Sequence, residues 1–240
     1  MGLTVTVLGC NGSYPGPGGA ASGYLVDADG TRIWLDAGSG TLANLQLHVG
    51  LGDVDAIVLS HSHPDHWQDV EGYHVAVTYG EHPREGVPVY APADLIDLLE
   101  HTQPTFSLRT VRDRDRVEIG AASLAFSRTD HAKETLAVRL DCGGSALGYS
   151  ADSGPGWSLD ALGTGLDLAL CEATFLQDRE GSVQHLSARQ AGTTARAAGV
   201  GRLVLTHTWP TIDLEAIRAE GEAAFGGPVE IAAIDAVYEV

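Results

Sequence analysis

Ala56-Ile57-Val58-Leu59-Ser60-His61-Ser62-His63-Pro64-Asp65-His66-Trp67 is the stretch on which the reading of this chain turns. Its four apolar residues read as a buried strand, and Ser60 begins the polar run that leaves it. Along extended chain successive side chains alternate sides, so His61 and His63 point the same way and can converge on one metal ion. Pro64 then turns the chain, which lets Asp65 and His66 face a second ion close by. Imidazole together with carboxylate suits zinc, and the same donors accept manganese or iron. A polar turn that gathered three histidines and an aspartate by accident is the poorer reading.

Outward from this stretch the apolar pattern repeats. Strand-like segments fall at residues 3–8, 23–26, 31–35 and 56–59, then at 87–90, 123–127, 136–140, 145–149, 166–170 and 202–205. Residues 229–232 and 236–240 read as two closing strands. Helical patterns are clearest at 93–101, 187–198 and 213–225, the last two opening on Ser187 and Asp213 as N-caps. Gly199 and Gly226 stand where helix stops are expected. Hairpins dominate the beginning and strand–helix alternation the end, which predicts layered α/β architecture. With no linker or repeat, residues 1–240 read as one domain.

Composition narrows the partners. Hydrophobic residues make up 44% of the chain and are spread along it, enough for a sizeable core. Net charge is −18 with a single lysine, Lys133, so no basic stripe exists to neutralise a long run of phosphates. The nearest approach, Arg109-Thr110-Val111-Arg112-Asp113-Arg114-Asp115-Arg116, alternates the two signs and reads as a solvated, self-compensating loop. An acidic surface repels anionic membranes, and no apolar run approaches the roughly 20 residues that cross a bilayer. The opening, Met1-Gly2-Leu3-Thr4-Val5-Thr6-Val7-Leu8-Gly9, alternates like a strand and has no basic start, so a cytoplasmic protein is expected. Cys10, Cys142 and Cys171 form no CxxC pair and read as small buried residues. His48, His74, His82 and His101 have no partners at ligand spacing and read as surface or capping residues.

Residues 61–66 resemble the HxHxDH motif of the metallo-β-lactamase superfamily, and further segments agree in order. Leu8-Gly9-Cys10-Asn11-Gly12-Ser13 is similar to the family's opening turn, and Trp34-Leu35-Asp36-Ala37-Gly38-Ser39-Gly40 resembles its LIDxGxG segment. Thr129-Asp130-His131, Tyr149-Ser150-Ala151-Asp152-Ser153-Gly154 and Leu205-Thr206-His207-Thr208 stand where the family carries one more histidine, a bridging aspartate and a final histidine. The resemblance covers essentially the full length. It implies an αββα four-layer sandwich with two divalent metal ions at one rim. His61, His63 and His131 would hold one ion, Asp65, His66 and His207 the other, and Asp152 would bridge them. Such a ligand set leaves positions open for water, the mark of a catalytic site rather than a structural one.

Two segments narrow the branch. Leu170-Cys171-Glu172-Ala173-Thr174-Phe175 and His185-Leu186-Ser187-Ala188-Arg189-Gln190-Ala191 resemble the EATF and HxSxxxA motifs of the ribonuclease Z-like branch, which cleaves phosphodiesters. The resemblance implies that His185 protonates or stabilises the leaving oxygen with Glu172 orienting it, and that Asp65 belongs with them to the catalytic set. The other reading of His185 is a neighbour of the helix cap at Ser187. Two divalent cations set against Asp65, Asp152 and a bridging hydroxide leave a formal charge of about +1, which draws a small anion. Paired metals about 3.5–4 Å apart lower the pKa of a bridging water and clamp the attacking and leaving oxygens.

Ribonuclease Z itself grips transfer RNA with a protruding basic arm, and no such insertion is found. Val5-Thr6-Val7-Leu8-Gly9-Cys10, Ala21-Ser22-Gly23-Tyr24-Leu25, Cys171-Glu172-Ala173 and Leu205-Thr206-His207 resemble bacterial cyclic-nucleotide phosphodiesterases of the atypical metallo-β-lactamase type. The expected function is hydrolysis of a small phosphodiester, cyclic AMP foremost, by attack of a metal-bridging hydroxide. The alternatives are a tRNA 3′ endonuclease or a superfamily hydrolase acting on a lactone, thioester, β-lactam or sulfate ester. Lys133 either reaches a phosphate oxygen or sits exposed in its loop. Trp67 and Trp209 either stack on a base or pack at the metal rim. The branch implies a homodimer.

Overall fold

The computed structural model describes residues 2–81 and 83–240, so the expectation for His82 lies outside the described residues. An antiparallel meander opens the chain through β1 (Leu3–Gly9), β2 (Gly23–Ala28) and β3 (Thr31–Ala37). Then β4 (Ala56–Val58), β5 (Val87–Ala91) and β6 (Phe106–Thr110) extend this sheet in parallel. A second sheet starts with antiparallel β7 (Arg116–Ile119), β8 (Ala122–Arg128), β9 (Leu136–Cys142) and β10 (Ser145–Tyr149). It continues in parallel through β11 (Leu168–Glu172), β12 (Arg202–Thr206) and β13 (Val229–Ile231). The last strand, β14 (Val237–Glu239), returns to pair with β1, giving two seven-stranded sheets among the described residues.

Side-chain alternation builds the layers. In β3, Ile33 and Leu35 face the space between the sheets and Trp34 faces outward; in β12, Val204 faces inward and Leu203 and Leu205 outward. Both faces of these strands are buried, which is why they read as continuous apolar runs. The inner layer joins residues such as Val5, Val26, Val58, Phe126, Val138 and Leu170. Outside the first sheet, Trp34, Ile57 and Leu59 meet α1 (Thr41–His48), α2 (Asp69–Tyr79) and α3 (Ala93–Leu99) through Leu45, Tyr73 and Leu95. Outside the second, Cys171, Leu203 and Leu205 meet α4 (Ala188–Ala197) and α5 (Leu214–Phe225) through Ala191, Ala195 and Ile217. The fold is the expected αββα sandwich.

The strands anticipated from sequence all form, with ends shifted by a few residues. Ser187 and Asp213 cap α4 and α5 with their side chains as expected, and Ser187 completes a capping box with Gln190. The stretch expected to be a solvated loop is a loop only in its middle. Arg109 ends in β6 and Arg116 begins β7, while the Asp115 carboxylate accepts the Arg112 N–H and Asp113 accepts the Arg128 N–H. The aspartates therefore tie a turn between two sheets as well as balancing charge. Cys10, Cys142 and Cys171 are buried and free. No helix among the described residues is long and apolar enough to cross a membrane.

Candidate metal centre

The seven expected metal-binding residues, with Asp36 and Glu172, stand at or just beyond the C-terminal ends of strands, whereas His185 lies in the loop before α4. Asp36 is the next-to-last residue of β3, residues 61–66 follow β4, and His131 follows β8. Asp152 follows β10, Glu172 ends β11, and His207 follows β12. The chain bends sharply at these exits: Asp36, Ala151 and His207 take left-handed backbone with φ of 53°, 50° and 52°. Such conformations cost a non-glycine residue about 1–3 kcal/mol and persist where the surroundings over-determine them, typically at functional sites.

The seven expected ligands come together. His63 Nδ1 lies 3.0 Å from His61 Nε2 and 3.1 Å from His131 Nε2. Asp152 Oδ2 stands 3.5 Å and 3.7 Å from those two Nε2 atoms. On the other side His66 Nε2, His207 Nε2 and Asp65 Oδ2 form a second triangle, 3.4–3.5 Å on each edge. Asp152 Oδ1 faces it, 3.2 Å from His66 Nε2 and 3.3 Å from His207 Nε2. The two oxygens of one carboxylate thus face two different ligand sets. A tetrahedral zinc with ligands at 2.0–2.1 Å has edges of about 3.3 Å, and the observed spacings suit that geometry. Asp152 Oδ1 is also buried without a hydrogen-bond partner, a polar atom that a cation would satisfy.

The far nitrogens of four histidines are held so that Nε2 faces inward. His66 Nδ1–H donates to Asp36 Oδ2 at 2.7 Å. The Ser60 hydroxyl donates to that same oxygen and in turn accepts from His61 Nδ1–H at 3.0 Å. His207 Nδ1–H donates to Thr174 Oγ1, whose hydroxyl donates to Glu172, and His131 Nδ1–H donates to the Gln184 carbonyl. Fixing one ring nitrogen selects the tautomer and raises the basicity of the other.

Charge follows the same division. Burial, helped by the neighbouring imidazoles, pushes the His61 pKa well below its ordinary value, and burial lowers that of His63. For His66 burial works the same way, yet Asp152, Asp65 and Asp36 outweigh it and hold the ring protonated in the metal-free chain. Burial likewise opposes ionisation of Asp65 and Asp152, but the surrounding histidines keep both well below the usual carboxylate range. Carboxylates buried this close together favour a positive charge beside them, and a metal ion would supply one.

His185 stands beside the centre rather than in either triangle. Its Nδ1 lies 3.1 Å from Glu172 Oε1, 3.2 Å from Oε2 and 3.9 Å from Asp152 Oδ2. Glu172 is nearly fully buried and also accepts the Ser153 and Leu186 backbone N–H groups. His185 sits two residues before the Ser187 cap, which anchors its loop. Burial lowers the His185 pKa, but Glu172 and then Asp152 raise it further, to about 9.

A family model for the beta-lactamase superfamily domain matches residues 31–208 of this chain. The chain belongs to that superfamily. It is 34% identical to the uncharacterized protein Rv1339 of Mycobacterium tuberculosis, over 100% of this chain and 93% of that protein. It is 32% identical to the probable metallo-hydrolase YhfI of Bacillus subtilis, over 99% of this chain and 100% of YhfI. The crystal structure of YhfI matches it with a TM-score of 0.92 over 99% of each chain, at 29% identity. Ribonuclease Z of Mycobacterium bovis is 28% identical over 95% of each chain. A diphosphatase from the PhnP family, 18% identical, shares the fold with a TM-score of 0.77 over 99% of this chain and 98% of that one. As a member of the superfamily with this histidine and aspartate cluster, the chain is a metal-dependent hydrolase.

The superfamily motifs pointed to the inward-facing donors and missed what stands behind them. Asp36 accepts four hydrogen bonds, from the Ser60 backbone, the Ser60 hydroxyl, His66 and Tyr149. Its signal was its place in the LIDxGxG-like segment. Thr174 had a similar signal beside Glu172; the Gln184 carbonyl, being backbone, had none. Lys133 is exposed in the turn after His131. Trp67 packs against the outer core and donates its indole N–H to the Ser62 carbonyl at 3.1 Å, the packing role. Trp209 carries the Arg179 guanidinium over its ring at 5.9 Å. His48 and His101 are exposed and paired with Asp235 and Glu71, while His74 lies edge-on to Phe106.

Proposed function

We propose that this metallo-hydrolase, a single domain over residues 1–240, is a phosphodiesterase that cleaves a small phosphodiester, with a cyclic nucleotide such as cyclic AMP the leading substrate. The observation that carries the reading is Asp152, whose two carboxylate oxygens face separate ligand sets with His185 at their border. His61, His63 and His131 would hold one divalent ion and Asp65, His66 and His207 the other, zinc suiting the donor set best. When bound, two such ions would supply Lewis acidity and a water of lowered pKa.

The chain's own residues do the rest. Glu172 accepts from His185 Nδ1–H, so the ring keeps one orientation and has Nε2 free to pass a proton to a departing alkoxide. Thr174 links Glu172 to His207, so the proton donor and a ligand share one support. The −18 net charge makes long nucleic acid a poor partner, because few lysines and arginines are present to neutralise a phosphate backbone. Ribonuclease Z among the relatives supports phosphodiester chemistry as the bond class.

The test is a hydrolysis panel of cyclic AMP, cyclic GMP, bis(p-nitrophenyl) phosphate, a short RNA, a lactone and a β-lactam, run with zinc and with manganese. Cleavage of the cyclic nucleotides that a His63→Ala variant loses supports the reading. Activity confined to the lactone or β-lactam overturns it while keeping the metal centre.

A further inference from the structure

The residues of the metal rim hang from both sheets. His61, His63, Asp65 and His66 follow β4 of the first sheet, whereas His131, Asp152 and His207 follow β8, β10 and β12 of the second. The gap between the two groups of ligands is therefore a gap between sheets. Apolar layers alone hold such a gap loosely, because dispersion contacts are non-directional and survive small slides.

Beneath the rim two buried tyrosines cross that gap in opposite directions. Tyr24 reaches from β2 to Thr206 on β12, hydroxyl to hydroxyl at 2.5 Å, and Thr206 immediately precedes His207. Tyr149 reaches back from β10, three residues before Asp152, and donates to Asp36 Oδ2 at 2.7 Å. Asp36 in turn stands behind His66 directly and behind His61 through Ser60, one histidine from each ligand set. The two rings meet edge-on, with centroids 5.2 Å apart and planes at 61°. Hydrogen bonds are directional and short-ranged, so these two, beside the backbone bonds from Leu136 N–H to the Ser60 carbonyl and from Thr208 N–H to the Cys10 carbonyl, fix a distance and a register that packing leaves soft.

We propose that Tyr24 and Tyr149 are positioning residues that set the spacing of the sheets at the rim, and through Asp152 the coupling of the two metal ions. The proposal rests on the two-metal reading above. Tyr149→Phe would leave Asp36 with three of its four donors and free β10 to shift. Tyr24→Phe would free β12 in the same way. Each ring would still fill its place in the core.

The test is titration of the metal-free protein with Co2+ against a chromophoric chelator, with the visible spectrum of bound Co2+ as a second readout. Wild type, Tyr24→Phe, Tyr149→Phe and Tyr73→Phe are compared. Tyr73 is the control: its buried hydroxyl donates to the Leu51 carbonyl at 2.9 Å in the outer layer of one sheet, so its loss tests general loosening. Wild type and Tyr73→Phe are expected to take up two ions with matching spectra. The two crossing variants are expected to bind one ion nearly as well and the other about 10–100-fold more weakly, with an altered spectrum. Unchanged binding of both ions by Tyr24→Phe and Tyr149→Phe overturns the proposal. So does an equal loss in Tyr73→Phe. A wild-type chain that binds fewer than two ions overturns the two-metal reading itself, which the variant comparison keeps separate.

Discussion

His185 Nδ1 sits 3.1 Å from Glu172 Oε1, and the carboxylate that holds it is nearly sealed from solvent. A charge-assisted hydrogen bond of this kind fixes both the ring and its proton. His185→Ala is expected to lower kcat on a phosphodiester by about 10²–10⁴-fold, the usual worth of a positioned proton donor. Glu172→Gln should lose less. Metal content, measured by elemental analysis, should stay at the wild-type level in His185→Ala. An unchanged rate in that variant would return His185 to the role of helix-cap neighbour.

The same contact has a pH signature in the metal-free protein. Burial disfavours the His185 cation, but Glu172 and Asp152 prevail and bring the pKa up to about 9. A folded-state pKa above the free value of about 6.5 means stabilisation that is complete below that pH and lost as pH rises through about 9. His66, also raised, adds with the same sign. NMR titration of the His185 ring should therefore give a midpoint near 9. Glu172→Gln should bring it down. A wild-type midpoint near the free value would contradict the ion pair.

Asp36 supports two histidines from one buried carboxylate. Asp36→Ala is expected to weaken metal binding about 10–100-fold, as loss of a partner behind a ligand commonly does. Competition with a chelator measures this directly. Binding at wild-type strength would mean that Asp36 serves folding alone.

Gly12 is pressed against His207, the last of the expected metal-binding residues. A Cβ there would lie 2.5 Å from the His207 carbonyl oxygen and 2.9 Å from its Nδ1, and backbone has little room to give. Gly12→Ala is expected to cost about 1–3 kcal/mol, the range for overpacking. It should also displace His207 and weaken the ion held with Asp65 and His66. A variant with unchanged thermal midpoint and metal affinity would show that this loop yields freely.

Ser187 tests the helix that follows the His185 loop. Its side chain accepts the Gln190 N–H, and its backbone N–H donates to the Gln190 side chain. Ser187→Ala should cost about 1 kcal/mol. For a chain of this size that is a fall of roughly 2–4 °C in Tm. Calorimetry reads it.

The inner parts of the fold were legible because their residues obey one rule at a time. β3 and β12 are apolar on both faces, and four of the seven expected metal-binding residues fall within positions 61–66, just after β4. What escaped the sequence was shaped by distant partners. α1 buries only Thr41 and Leu45 and leaves Leu47 largely exposed, so its periodicity is faint. β6 and β7 were hidden under alternating charge, because edge strands carry polar side chains that read as loop. Asp36 was marked by its place in the LIDxGxG-like segment, but its partner Tyr149 was not; they meet across 113 positions of sequence, and no local pattern marks such a pair.

Those arginines at the strand edges have a consequence of their own. Each sheet ends on one side in an open row of backbone donors and acceptors, at β6 and at β7. An unguarded edge invites strands from other copies and, in time, fibrils. Here Arg109 on β6 and Arg116 and Glu118 on β7 stand exposed, with Arg112 and Arg114 exposed in the turn that joins the two edges. An incoming strand would have to strip water from these charges before gaining a single ladder bond, which disfavours edge-to-edge pairing.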